Sequence, residues 1–498
     1  MRRQHIVALA LFAGLIVLAA LLLASIFDVT LVPQQPAHTS APLAANALQV
    51  GQSSGSPTAA IALGLGIGLG DVPTNSMADP VRGAHVEVLR FGDVHADDYD
   101  WQQGCLYDPT RPHPDCYSRA GHGSPLDQFL AFAGQVGAQP LIVVNGEIDD
   151  PQQAAQLVAF YWQHCMHAPG RTCPDPYWEI GDSPATWNHF AIPLNQRQSS
   201  DSSMANPDQY AALVTSYRAA MYRAALYYAD HPDHPIKIVA DEFITGATDE
   251  SWIDALGYGG IDTHFAPLIY SRGSRTPSVQ DVIRAVSQGY QDRPGIDSWL
   301  QSLREGLQQF DQSSSLKIFI GRWSIDANTG LDEPSVYGGY AQALFTAALL
   351  ARVWQDAGGT NPIAMAIQAP MSGPAQEPFD IANAGAPRSA VAVYTLLGRY
   401  FGTHPVSVDL GSGAAKAGML AAGASLGPGD TRLLLVNLDQ KSAHTVDLQG
   451  AARAAEMWWI VQDNAQADGA SSVHHAVIGG SRVKVPAWGI AVVRLRTL

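Results

Sequence analysis

Carboxylates, arginines and aromatic residues recur together at the downstream ends of short apolar runs in this chain. The first cluster is Arg90-Phe91-Gly92-Asp93, followed by Asp97-Asp98-Tyr99-Asp100-Trp101. Further along come Asn145-Gly146-Glu147, then Tyr177-Trp178-Glu179-Ile180-Gly181-Asp182-Ser183-Pro184, then Asp241-Glu242. Asp262-Thr263-His264-Phe265 and Gly321-Arg322-Trp323-Ser324-Ile325-Asp326 follow, and the last run ends near Gln368. A carboxyl in such a place can act as acid, base or nucleophile when a second group faces it. It can equally pair with Arg90 or Arg322 and do no chemistry. An arginine in a concave site favours an anionic group.

The elements that must position these clusters are eight apolar runs: Ile61–Val72, Val86–Phe91, Pro140–Asn145, Tyr177–Gly181, Ile236–Ala240, Ile261–Ile269, Leu316–Ile320 and Pro362–Ala369. Continuous apolar runs suit parallel strands buried on both faces. Helical patterns lie between them. Asn206-Pro207-Asp208 supplies a cap residue and a proline at the first helical position, and Tyr210, Leu213, Val214, Tyr217 and Met221 recur at helical spacing. Pro151-Gln152-Gln153 opens another helix, with Ala154, Leu157, Val158 and Tyr161 on one face. Strands alternating with helices predict an α/β fold, a (β/α)8 TIM-type barrel over residues 59–395. A doubly wound open sheet is the alternative, but no Gly-rich phosphate loop supports it. After Tyr394, short β-like runs punctuated by Gly, Asp and Asn predict a C-terminal antiparallel β-sandwich over 396–498. Function in such a barrel sits at the C-terminal ends of the strands, where the clusters fall.

The N-terminus sets the compartment. Arg2 and Arg3 precede an unbroken apolar run from Ile6 to Phe27. About 20 apolar residues span a bilayer, whereas a signal-peptide core has about 7–15. The expectation is an uncleaved transmembrane signal anchor over 1–27, N-terminus cytoplasmic and the remainder extracytoplasmic. A cleaved signal peptide would leave the body of the chain in the same compartment. Residues 28–58, rich in Pro, Ala, Ser and Gly, read as a flexible tether. A net charge of -16 argues against nucleic acid as a partner, because phosphate binding needs a basic surface. Four cysteines suit an oxidising compartment, and the barrel register favours two local disulfides, Cys105–Cys116 and Cys165–Cys173. The first pair follows the second strand and the second pair precedes the fourth, so long-range pairs would have to cross the barrel. A zinc site from His164, Cys165, His167 and Cys173 is the weaker reading there. Nothing points to a metal or an organic cofactor.

Tyr177–Pro184 resembles the fourth barrel strand of the clan-A glycoside hydrolases, especially the α-L-arabinofuranosidase-like families. In those enzymes that strand reads Trp-Glu-Ile-Gly-Asn-Glu-Pro, and its second Glu is the general acid/base. Leu89–Trp101 resembles their second-strand segment, and Val143-Val144-Asn145 their third. Ala390–Phe401 and Leu433–Asp439 resemble their crossing into the terminal β domain. The similarity covers most of residues 60–498, and the order and spacing of the motifs carry more weight than any one of them. It implies hydrolysis of O-glycosyl bonds and a carbohydrate or glycan ligand. The departures are as informative. Ser183 stands at the acid/base position, Asp182 replaces the preceding Asn, and Arg322 stands where the nucleophile precedes Trp323. Gly92-Asp93-Val94 replaces a Pro-Gly-Gly. Retaining hydrolysis needs two carboxyls about 5–5.5 Å apart, and neither an alcohol nor a guanidinium supplies one.

The resemblance therefore implies a barrel whose two catalytic carboxylates are gone, acting as a carbohydrate-binding or assembly protein. The alternative is a hydrolase with relocated carboxylates, Asp182 acting with Glu242, Glu147 or Asp326. A structural envelope protein is the third reading. Glu179 shares the strand parity of Ser183 but lies about 13 Å deeper at strand rise. The expected ligand-binding set is Arg90, Asn145, Glu147, Trp187, His264, Tyr270, Arg322 and Trp323, with the aromatic members as a stacking platform. Trp101 is a further candidate for that platform, whereas Trp178 reads as barrel core. No protein partner is implied.

Overall fold

The computed structural model describes residues 44–497 apart from gaps, the longer ones being 51–59, 117–123, 167–173, 229–235, 270–277, 310–315, 328–338 and 463–470. The expected anchor 1–27 lies outside the described residues. No described helix is long and apolar enough to cross a membrane.

Eight parallel strands close into a barrel in sequential order. They are β1 (Ala62–Ile67), β2 (Val88–Phe91), β3 (Gln139–Val144) and β4 (Tyr177–Ile180). The circuit is completed by β5 (Lys237–Asp241), β6 (Gly260–Phe265), β7 (Lys317–Trp323) and β8 (Ile363–Gln368). Each falls on one of the apolar runs, because a barrel strand is covered by packed side chains inside and by helices outside. Val88, Leu141, Val239, Phe319, Met365 and Ile367 fill the interior as one buried cluster, so the barrel is a packed core and not a pore. Their neighbours Leu89, Ile142, Ile238, Ile318 and Ala366 face the helices and join the main core.

Helix starts are written locally. Ser124 and Asp127 form a capping box at the start of Pro125–Val136, and left-handed Gly137 ends that helix. Asn206 and Gln209 exchange side-chain and backbone hydrogen bonds, both 2.9 Å, at the start of Pro207–Tyr228.

The C-terminal region packs a six-stranded antiparallel sheet beside a four-stranded one. Leu433, Leu435, Val446, Val485, Ala491 and Val493 share a buried cluster there, an arrangement consistent with a sandwich. Two strands in it were not expected from sequence, Met419–Gly427 and His474–Gly480. A third corrects the reading of 28–58 as a tether throughout. Ala47–Val50 is a strand, pairing antiparallel with Val408–Leu410 and parallel with His444–Leu448, and Leu48 is fully buried. Alternation of Ala, Leu, Gln and Val over four residues is too short to register against a Pro/Ala/Ser background. The expected boundary at 395/396 falls inside the helix Ser389–Tyr400, which continues from the barrel toward the β domain.

The Cys105–Cys116 disulfide is present. It joins two paired short strands, Cys105–Leu106 and Asp115–Cys116, in the loop after β2. The Cys165 side chain, His167 and Cys173 lie outside the described residues, and with them the expected Cys165–Cys173 pair and the zinc alternative.

Candidate functional site

Beneath the barrel mouth lies an ion-pair network. Arg90, on β2, is fully buried and donates from Nε to Glu179 Oε2 (2.7 Å) and from Nη2 to Glu179 Oε1 (2.5 Å). Nη2 also reaches Asp182 Oδ2 at 2.9 Å, and Nη1 donates to the Gly92 carbonyl at 2.9 Å. Burial alone would raise the Asp182 carboxyl, but the Arg90 charge, with His264 behind it, holds it well below the ordinary range. Burial pushes the Glu179 carboxyl up against the pull of Arg90. Asp182, expected from sequence as a catalytic acid, is thus placed as a buried counter-ion of Arg90. Arg90, expected as a ligand contact, is placed within the same network, fully buried.

The tip of β4 is shaped to place these groups. Gly181 (φ 73°) and Ser183 (φ 54°) are both left-handed, a conformation a serine adopts at a cost. The turn sends Asp182 inward, while Ser183 Oγ donates to Asp182 Oδ1 at 2.9 Å and lines the mouth. A second buried acid pins the same tip. Asp97 accepts from the backbone N–H of Gly146 (2.9 Å) and Asp182 (2.8 Å) and from Trp187 Nε1 (2.9 Å). Burial pushes its carboxyl up to about 7.

Three expected ligand residues are explained by this scaffold instead. Trp187 is buried, stacked on Phe190 and bonded to Asp97, so its ring is not a sugar platform. Glu147 is buried, pairs with Arg197 at 2.8 Å and accepts from the Asn188 and His189 amides. Asn145 donates to the Asp97 carbonyl at 2.6 Å. All three hold the loops after β2, β3 and β4 to one another. The sequence places such groups correctly at strand ends but does not show that loop amides consume them.

A cleft of about 560 Å³ opens over the ends of β4 to β7. Ser183, Thr186, Asp241, Glu242, His264 and Arg322 supply its polar walls, and Trp299 and Phe265 its aromatic side. A register irregularity between Thr263 and His264 turns the His264 ring into this space. His264 Nε2 lies 2.8 Å from Asp262 Oδ2. Burial works against charge on this ring, but Asp262 and Asp182 prevail and raise it to about 9. Asp262 also accepts from the Gly321 amide at 2.7 Å. A Cβ at Gly321 would stand 2.0 Å from that carboxylate, so only glycine permits the contact.

Glu242 accepts from Thr263 Oγ1 at 2.6 Å, and that hydroxyl accepts from Trp299 Nε1 at 2.7 Å. Burial raises the Glu242 carboxyl, and it pushes Asp241 up to about 7. Arg322 stands beside His264 in the strand register, half-buried, with no hydrogen bond or ion pair to any described residue. Trp323, one residue on, is fully buried against Phe345, which corrects its expected stacking role. Tyr270 and the Asp326 side chain lie outside the described residues. Sequence reasoning missed Trp299 because it lies on the helix Ile296–Leu307, far from any strand end.

Glu179, Asp182 and His264 offer donor atoms within 4.8 Å of one another. The Arg90 guanidinium already hydrogen-bonds both carboxylates, so this set fits a closed ion-pair network better than a metal centre. The mouth can accept and donate hydrogen bonds and present an aromatic wall to a ligand. Its two cleft-lining carboxyls, Asp241 and Glu242, are adjacent residues at one strand end, with an alcohol and a guanidinium at the tips of β4 and β7.

No family model and no curated protein matches the chain. Solved structures do. The α-L-arabinofuranosidase of Thermotoga maritima in its arabinose complex is 14% identical, with TM-score 0.65, covering 90% of this chain and 99% of that one. The family 51 α-L-arabinofuranosidase AbfB of Bifidobacterium longum is 13% identical, with TM-score 0.62 and coverage of 92% and 100%. A family 44 xyloglucanase of Paenibacillus polymyxa is 13% identical, with TM-score 0.60 and coverage of 91% and 99%. At this identity the likeness shows a shared glycoside-hydrolase-type fold along nearly the whole chain.

Proposed function

We propose that this chain is a membrane-anchored, extracytoplasmic glycan-binding protein that keeps a glycoside-hydrolase barrel and has lost two-carboxylate hydrolysis. One observation carries the reading. The cleft holds no facing pair of carboxyls among the described residues, because Ser183 and Arg322 occupy the β4 and β7 tips and Asp182 is tied to Arg90. Double displacement needs an acid and a nucleophile on opposite sides of the bond. Asp241 and Glu242 stand on the same side.

The cleft still has the features of a sugar site. Trp299 offers an aromatic wall, and His264, Thr186, Glu242 and Arg322 can bond hydroxyls. That several neighbours of the same fold are named for arabinose- or xyloglucan-directed activity supports a carbohydrate as the ligand. Anchoring rests on Arg2, Arg3 and the apolar run that follows.

The test is a panel of aryl glycosides together with a glycan array, applied to the full chain in non-ionic detergent. Array binding without turnover is expected. Turnover abolished by Asp182→Asn or Glu242→Gln would overturn the non-hydrolytic reading. The raised carboxyl of Glu242 favours one competing reading, a hydrolase using it as general acid, and that variant decides between them.

A further inference from the structure

A second cleft lies on the flank of the barrel, where it meets the β domain. It measures about 610 Å³ and is separate from the mouth, sharing no lining residue with it. Its charge is opposite to that of the molecule. Arg284, Arg352, Lys416 and Lys441 line it, against the single acid Asp439, in a chain of net charge -16. These cations come from four separate places. Arg284 lies on the helix Val279–Gln288, Arg352 on Gly339–Asp356, Lys416 at the end of Ser412–Lys416, and Lys441 after the strand Asp430–Asn437. Only the folded contact between barrel and β domain gathers them.

Their states differ in a useful way. Arg352 is committed, lying 3.5 Å from Asp297 and bonded to Gln355 at 3.2 Å. Asp439 is also committed, accepting from the Lys441 amide at 2.8 Å and pairing with His444 at 3.0 Å. Arg284, Lys416 and Lys441 are exposed, and their side chains have no ion-pair partner among the described residues. Between them the floor is apolar, half-buried Leu438 over buried Met419 and Leu420, and the Gln280 and Gln288 side chains stand at the wall, Gln280 Nε2 donating to the Leu438 carbonyl at 3.3 Å.

We propose that this flank cleft binds an acidic oligosaccharide, a short glycan strand bearing carboxylates. Three free cations spaced around one cleft match repeated anionic groups. The apolar floor suits the hydrophobic face of a sugar ring, and the amides suit its hydroxyls. A lone inorganic anion would leave most of the 610 Å³ unfilled and would make no use of the floor.

The test measures binding of tetragalacturonate to the full chain in non-ionic detergent by calorimetry, with inositol hexakisphosphate as the phosphate-bearing arm. Arg284→Ala/Lys416→Ala/Lys441→Ala is expected to weaken tetragalacturonate binding at least tenfold, and binding should weaken steadily as salt rises. Glu242→Gln/Arg322→Ala, which alters only the mouth, should leave it unchanged. Loss in the mouth variant alone would move the acidic sugar to the mouth and overturn the proposal. Tighter binding of the phosphate arm than of the uronate would reassign the cleft to a phosphate headgroup. No binding of tetragalacturonate, or none that responds to the triple variant, would refute it outright.

Discussion

Replacing Arg90 by Met should destabilise the protein, and more so at high pH. The guanidinium is fully buried and holds two carboxyls, Glu179 and Asp182, that are themselves buried. Methionine matches its length but leaves both without their cation. Breaking a buried ion pair by removing one partner costs about 3–5 kcal/mol. Unfolding entropy of about 2.1 cal/mol/K per residue, over the roughly 450 residues of the compact unit, gives about 0.95 kcal/mol per kelvin. The melting temperature should therefore fall by about 3–5 K. The loss is softened where the abandoned carboxyls can take protons, so it should be larger at pH 8 than at pH 5. Calorimetry at the two pH values reads both parts. An unchanged or raised melting temperature, or a larger loss at pH 5, would refute the view that Arg90 is the keystone of the sub-mouth network.

The wild-type protein should itself lose stability between about pH 4 and 9. Asp97 and Asp241 have folded values raised to about 7, so the folded state holds protons that the unfolded state releases. His264, raised to about 9, contributes stability that is complete below its unfolded value and lost as pH rises through 9. Denaturant titration along that range checks the slope, and Asp97→Asn should flatten its part up to about pH 7. Gly181→Ala should cost about 2–4 kcal/mol, since the added Cβ would lie 2.2 Å from Trp187 Cζ2 at a left-handed residue; an unchanged denaturation midpoint would show that the β4 tip is not under that constraint. Replacing both Cys105 and Cys116 by Ser, which opens a loop of sequence separation 11, should cost about 3 kcal/mol. A loss below about 1 kcal/mol would mean the loop after β2 is held by its other contacts.

All eight barrel strands were legible, because being buried on both faces forces an unbroken apolar run that survives reading without neighbours. The strand Met419–Gly427 was not, since five of its nine residues are Ala or Gly and carry neither period nor β-branching. Ala47–Val50 was hidden by its surroundings. At the mouth, sequence located the right strand ends but not the depth of each side chain. Trp323 and Arg322 are neighbours, yet one is core and the other lines the cleft, because adjacent strand residues face opposite ways. Asp97 was visible only as one of a run of acids. Its role depends on amides contributed by Gly146 and Asp182, which no local pattern announces.

The buried acids bear directly on whether hydrolysis could have been rebuilt around new carboxylates. Asp182, Glu147 and Asp97 are buried acids of the segments after β2, β3 and β4, and each is engaged by the scaffold. Asp182 balances Arg90, Glu147 pairs with Arg197 and caps two loop amides, and Asp97 joins three segments. Freeing any one for proton transfer would strand a buried partner, at a cost of several kcal/mol. Among the described residues the carboxyls that line the cleft are Asp241 and Glu242, and both come from the same strand end. The tips of β4 and β7 contribute Ser183 and Arg322 to the same cleft. Arg322 makes no hydrogen bond or close ion pair with any described residue, although its charge helps to hold the Asp182 carboxyl down. The described part of the cleft thus offers hydrogen-bonding groups and an aromatic wall rather than a facing pair of carboxyls.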